Sequence, residues 1–260
     1  MNLLRGAEVY EVYGGGHNGK VINRKSLLKW QKDLEEQGET LDLSMPGYNE
    51  CGLDHKTLVH PTKLGGKYHT NVHIHEGATV WNYAYGGGMG DSEKVNQGIL
   101  GSGDVYGSTY IDLLGGTVVK DLYAAGTSGA VRDSLRVTSA GFDYNGKHID
   151  GFTASTTAYI EGGKVRNVYG GGWRGSVGHH IGKIDAPYDN DIPGETHVII
   201  GKIDGTTLTD GIPAIERNAY GGGEGGAVFG TANITLNKGF IGYRFFDDEP
   251  ADKTYPYTKV

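Results

Sequence analysis

One stretch, Val168-Tyr169-Gly170-Gly171-Gly172 followed by Trp173-Arg174-Gly175-Ser176-Val177, recurs through the chain and constrains its fold more than any other feature. It appears first as Val12-Tyr13-Gly14-Gly15-Gly16 and returns as Ala84-Tyr85-Gly86-Gly87-Gly88. A degenerate copy reads Leu122-Tyr123-Ala124-Ala125-Gly126, and the last is Ala219-Tyr220-Gly221-Gly222-Gly223. A second motif keeps step with it: Thr, any residue, apolar, any residue, apolar. Its copies start at Thr70, Thr109, Thr156 and Thr196, and a fifth has Ala232 in place of the threonine. This alternation is the period-two signature of a half-buried strand. Two elements sharing a period of roughly forty residues mark a repeat architecture, in which each unit buries its apolar residues against its neighbours.

The unit can be written out from its fourth copy. A strand Ala158–Glu161 is expected to end at a Gly162-Gly163 corner. A second strand, Lys164–Tyr169, places Val165 and Val168 inward, and a third runs around Ser176–Ile184. Glycine suits the corners because a sharp bend often needs φ above zero. Gly86, Gly87, Gly88, Gly170, Gly171, Gly172, Gly221, Gly222 and Gly223 are therefore expected as structural corners, and valine at Gly171 or Gly222 is expected to damage folding. The fold class that follows is all-β: a right-handed parallel β-helix, or solenoid, of about five coils, its hand set by the general preference for right-handed crossovers. A β-propeller also repeats near forty residues. However, the 12-residue step from Tyr220 to Ala232 leaves no room for two outer strands and a turn.

Residues 1–246 are expected to form a single solenoid domain with an insertion at 24–67. Within that insertion Leu27, Trp30 and Leu34 have helical spacing, so Lys25–Gln37 is read as a short helix covering an open sheet edge. Phe142–Phe152, Pro187–Glu195 and Thr206–Pro213 are read as loops, and 247–260 as a loosely held C-terminal tail.

Composition narrows the function classes. The 46 glycines lack the every-third-residue period of collagen, and regular apolar positions between them argue against a disordered tract. A net charge of −7 with no basic stripe argues against a nucleic-acid partner. Cys51 has neither a disulfide partner nor zinc-finger spacing. No apolar run is long enough for a transmembrane segment, and Met1–Tyr10 lacks the apolar core of a signal peptide. The chain reads as one module of a longer surface protein. No cofactor is expected: Gly86-Gly87-Gly88-Met89-Gly90 does not match a phosphate loop, and strand residues rather than a helix follow the glycines.

The recurring Val-Tyr-Gly-Gly-Gly with its Gly-Gly corners resembles the glycine-rich repeats of large, secreted, adhesin-like surface proteins of gut bacteria. The resemblance covers residues 8–22 and 66–246. It implies an extracellular or cell-surface location and a role in contact with a host, a glycan or another cell.

The threonine strands supply the candidate sites. One outward column stacks Asn71, Tyr110, Thr157, His197 and Asn233. The next stacks His73, Asp112, Tyr159, Ile199 and Thr235. Tyrosines beside amides and carboxylates can lie against sugar rings while bonding their hydroxyls. Tyr110, Tyr159, Asn71, His73 and His197 are thus the expected contacts for a glycan or surface-protein ligand on an exposed strand face. His73 and His75 alternate on one strand and are weak metal candidates, with His69 or Glu76 as a further ligand. His179-His180 point to opposite faces. The alternative reading is a carbohydrate-active enzyme, a polysaccharide lyase or glycoside hydrolase, using two surface carboxylates. Asp112 and Glu161 are the first candidates for such a pair, with Asp104 and Asp121 as further options.

Overall fold

The computed structural model describes residues 1–17, 21–22, 70–90, 103–132, 136–138, 141–143, 154–178, 194–201 and 212–242. The Lys25–Gln37 segment, Cys51, His179-His180 and the 247–260 tail lie outside them. Among the described residues there is no helix. The chain is instead a large parallel sheet in which equivalent parts of successive repeats pair side by side. Asn2–Leu3, Thr70–Ile74, Ser108–Tyr123, Ala154–Tyr169, Gly194–Ile200 and Gly230–Leu236 follow one another in chain order. The pairing is in register, so Thr70, Thr109, Thr156, Thr196 and Ala232 form one column.

Two further ladders run alongside. Glu8–Val9 and Val12–Tyr13 pair with Thr79–Val80 and Ala84–Tyr85, and these pair with the second half of Ser108–Tyr123. The series continues through Lys164–Tyr169, Ala214–Tyr220 and Phe240–Ile241. The third ladder joins Val21–Ile22, Val105–Tyr106 and Val131–Arg132, then Val177 and Val228 through single bridges. All of these pairings are parallel. A propeller blade is a four-stranded antiparallel sheet, so the propeller does not fit. The one antiparallel pair among the described residues is a hairpin of Arg136–Thr138 with Gly141–Asp143, which puts Phe142 in a strand rather than the expected loop.

The core follows from the alternation. Val72, Ile111, Ala158 and Val198 stack on the first ladder, and Val80, Val118, Val165 and Ile215 on the second. Val105, Val131 and Val177 supply the third in a separate cluster. All are buried, and each such side chain contributes about 1.5–3 kcal/mol on leaving water. β-branched residues fit here because their stiff χ1 suits a pleated, tightly stacked surface.

The two glycine corners work by different physics. At Gly162-Gly163 the chain bends without ending its strand: Ala154–Tyr169 stays paired through three register shifts, two of them flanking Gly162. Gly163 has φ +83° there, as the expectation requires. The Tyr-Gly-Gly-Gly corner needs correction. None of Gly86, Gly87, Gly88, Gly170, Gly171, Gly172, Gly221, Gly222 or Gly223 has positive φ. Their constraint is lack of space between repeats. A Cβ on Gly170 would sit 2.2 Å from the Gly221 carbonyl oxygen, and one on Gly86 2.3 Å from that of Ala124.

The third glycine is the strictest. On Gly172 a Cβ would meet two backbone carbonyl oxygens at once, those of Gly126 and Gly175, each at 2.5 Å. The first two positions have some give, because the third repeat carries Ala124 and Ala125 there. Backbone hydrogen bonds through Ala125 stretch to 3.2 and 3.3 Å, against 3.0 Å from Gly171 to Gly222. Gly222 itself has nothing within 4 Å of its would-be Cβ, since no equivalent corner packs over it. The expected folding defect at Gly222 therefore has no steric basis.

The threonine column explains why the two motifs share a period. Each threonine hydroxyl donates to the carbonyl that opens the corner of its own repeat: Thr70 to Gly86, Thr109 to Ala124, Thr156 to Gly170 and Thr196 to Gly221, at 2.5–2.6 Å. The corner carbonyl turns toward the interior and would otherwise lack a donor, which is costly in a buried site. Ala232 breaks the column in the one repeat that has no Tyr-Gly-Gly motif after it.

Candidate functional site

The strand register assembles both expected columns as ordered. Asn71, Tyr110, Thr157, His197 and Asn233 are neighbours in successive strands, and so are His73, Asp112, Tyr159, Ile199 and Thr235. The expected exposure does not follow. Tyr110 is 1% and Tyr159 5% exposed, and Asn71, Thr157 and Asp112 are buried as well. Tyr110, Thr157, Asp112 and Tyr159 each have an in-register neighbour on the strand above and below, and the His73 ring lies 6.0 Å from that of Tyr110. His73 and His197 remain partly open. The middle of this face is thus packed, and only its flanks can touch a large ligand.

Charges on this face are largely committed. Asp112 Oδ2 lies 2.9 Å from His73 Nδ1, and Glu195 lies 3.4 Å from His197. The His73 and His75 rings are 6.4 Å apart and tilted, while Glu76 bonds Arg5 at 3.2 Å rather than approaching them. Among the described residues no group of three or more His, Cys, Asp or Glu is placed to hold a metal ion. The candidate carboxylates sit in different surroundings. Glu161 is half-buried. Asp104 accepts from the Ala130 amide at 2.8 Å. Asp121 takes both Arg166 guanidinium contacts, at 2.9 and 2.5 Å, and the Asn167 amide at 2.8 Å.

The most ordered side-chain array lies on the second ladder, at the tyrosines that end its strands. Those strand ends are where expected, at Tyr13, Tyr85, Tyr123, Tyr169 and Tyr220. Their rings form a continuous stack, with centroids 4.8–5.0 Å apart and planes within 13° of parallel. Parallel pairing imposes this distance, since it matches the strand spacing. A tyrosine at one register position in every repeat was the signal that could have revealed it.

The stack is closed by polar partners. Tyr13 Oη donates to Glu11 Oε2 at 2.7 Å, and Tyr123 Oη donates to Glu224, which lies two repeats further on. Burial, reinforced by Glu11, pushes the Tyr13 hydroxyl up to about 12. Burial and then the bond to Glu224 push Tyr123 upward as well. Beside the stack runs a polar column, in which Asn218 donates to Asn167 Oδ1 from its backbone and side-chain nitrogens at 3.2 and 3.4 Å. Such an array rigidifies the sheet.

No family model, curated protein or solved structure matches the chain. Among the described residues no helix is long and apolar enough to cross a membrane.

Proposed function

We propose that the repeats are coils of a right-handed parallel β-solenoid, and that the chain is an extracellular repeat module with a structural and adhesive role at a cell surface. The observation that carries this reading is the continuity of its columns. Core valines, threonine hydroxyl bonds and tyrosine rings pass from repeat to repeat with little interruption, which suits a rigid spacer that presents a long lateral surface. The resemblance of the Val-Tyr-Gly-Gly-Gly repeats to adhesin-like surface proteins supports the location. Binding belongs to exposed positions on the strand faces, with a glycan or surface protein as ligand; of Asn71, His73, Tyr110, Tyr159 and His197, only His73 and His197 are accessible. An enzyme using Asp112 and Glu161 would need Asp112 open to substrate, whereas its carboxylate is buried against His73.

Brief proteolysis of intact cells that carry the protein tests this. Release of peptides from the chain without cell lysis is the expected result. Release only after lysis would overturn the surface-module reading.

A further inference from the structure

We infer that Tyr10 and Trp81 form a binding platform for a neutral, hydroxyl-rich glycan. The site lies on the second ladder, away from the threonine face. The inference rests on the adhesive reading above and gives it a place and a ligand class.

On this ladder Val9, Val80 and Val118 point into the core, so the residue after each points outward. Those residues are Tyr10, Trp81 and Val119. The Trp81 amide donates to the Val9 carbonyl at 2.9 Å and the Asn82 amide to the Tyr10 carbonyl at 2.8 Å. These bonds hold the two aromatic residues on adjacent strands, about one strand spacing or ~4.8 Å apart. Tyr10 is 70% exposed and Trp81 53%, with Val119 continuing the stripe at 41%. The contrast with the buried tyrosines a few residues away is sharp. In the stack, Tyr85, Tyr123 and Tyr169 are buried; here two large aromatic residues at in-register positions on adjacent strands face water.

The polar groups around the platform select the ligand. Glu8 Oε2 accepts from Trp81 Nε1 at 3.1 Å, and Glu8 is itself exposed. Glu11 accepts from both Tyr13 and Asn82. Asn82 is buried, and its Oδ1 has no donor. The rim of the platform is therefore rich in acceptors, the carboxylates of Glu8 and Glu11. The nearby cations are engaged elsewhere, Lys120 over the Tyr83 ring at 4.9 Å and Arg166 on Asp121. An acidic sugar would meet the like charges of Glu8 and Glu11. An apolar protein surface would strip water from both carboxylates and give no hydrogen bond in return. A neutral sugar offers a flat C–H face to the rings and hydroxyl donors to the rim.

Affinity electrophoresis of the whole chain through gels containing neutral mannan, xyloglucan or mixed-linkage β-glucan tests this, with polygalacturonate as the acidic comparison. The expected result is retardation by at least one neutral polysaccharide and none by polygalacturonate. Retardation should weaken roughly ten-fold or more in Trp81→Ala and in Tyr10→Ala, and be kept in Trp173→Ala, which removes an exposed aromatic elsewhere. Circular dichroism confirms that each variant is folded. Equal retardation of the wild type and both platform variants, or preference for polygalacturonate, overturns the platform and leaves the adhesive reading standing. A wild-type chain that passes every neutral gel unretarded overturns it too, while the cell-surface proteolysis decides the adhesive reading separately.

Discussion

Thr156 Oγ1 donates a 2.5 Å hydrogen bond to the carbonyl oxygen of Gly170, and this contact joins the two repeated motifs of the chain within one repeat. The threonine lies near the start of the strand Ala154–Tyr169 and the glycine opens the corner after it, so the bond ties the two together. Thr70, Thr109 and Thr196 make the same contact.

Replacing Thr156 or Thr109 by valine keeps the shape and removes the donor. Each change leaves a buried carbonyl unsatisfied and is expected to cost about 1–3 kcal/mol in denaturant unfolding. Serine at the same position should recover part of the loss. Ala232→Thr should change stability by less than about 0.5 kcal/mol, because its repeat offers no corner carbonyl. A stabilisation as large as the Thr156→Val loss would show that the hydroxyl acts in some other way.

Alanine substitutions along the corner should rank by the space that each Cβ finds. Gly172→Ala places a methyl group against two carbonyl oxygens and is expected to cost more than about 4 kcal/mol. Gly171→Ala should cost roughly 1–3 kcal/mol, since the sheet already opens to admit Ala125. Gly222→Ala should be close to neutral. Thermal unfolding of the three variants checks the order, and equal losses would remove the steric account.

Alkaline pH should loosen the tyrosine stack. Burial first, and then nearby carboxylates, push Tyr13 and Tyr169 up to about 12 from an ordinary value of 10.0. Between these values the unfolded chain has lost protons that the folded chain retains. Stability is thus fully present below about pH 10 and falls as the pH rises through about 12. Tyrosinate absorbance followed alongside the unfolding midpoint tests this. A midpoint that stays level across the window contradicts it.

Asp121→Asn should be more damaging than its modest change in shape suggests. The substitution takes the carboxylate from Arg166 and disturbs the Asn167 contact. Breaking a buried pair typically costs about 3–5 kcal/mol; the partly exposed Arg166 lowers the expected loss below that range, to about 2–3 kcal/mol. The double variant Asp121→Asn, Arg166→Met should recover part of it. No recovery in urea unfolding would show that the Asn167 column, rather than the ion pair, carries the effect.

The period, the strand alternation and the order of residues in each column were legible from the chain alone, because all three follow from repetition. Val165 and Val168 are both buried as expected, with an irregularity between Val165 and Asn167 rather than strict alternation bringing both inward, and His73 stands beside Asp112 as the alignment of repeats requires. Burial on the outer faces was not legible. Tyr110 alternates like a surface residue yet is covered, while Tyr10 and Trp81 occupy a comparable outward position and stay open.

What the sequence by itself determined is therefore the register: which residues meet when one repeat lies on the next. Only the tertiary structure decided what that meeting allows. It placed Glu224 on a tyrosine 101 positions earlier, and it brought a Gly126 carbonyl to where a side chain on Gly172 would have to go. Period-two alternation assigns a side chain to a face, but exposure and steric room depend on atoms brought in from other repeats. Those atoms are near in space and far apart along the chain.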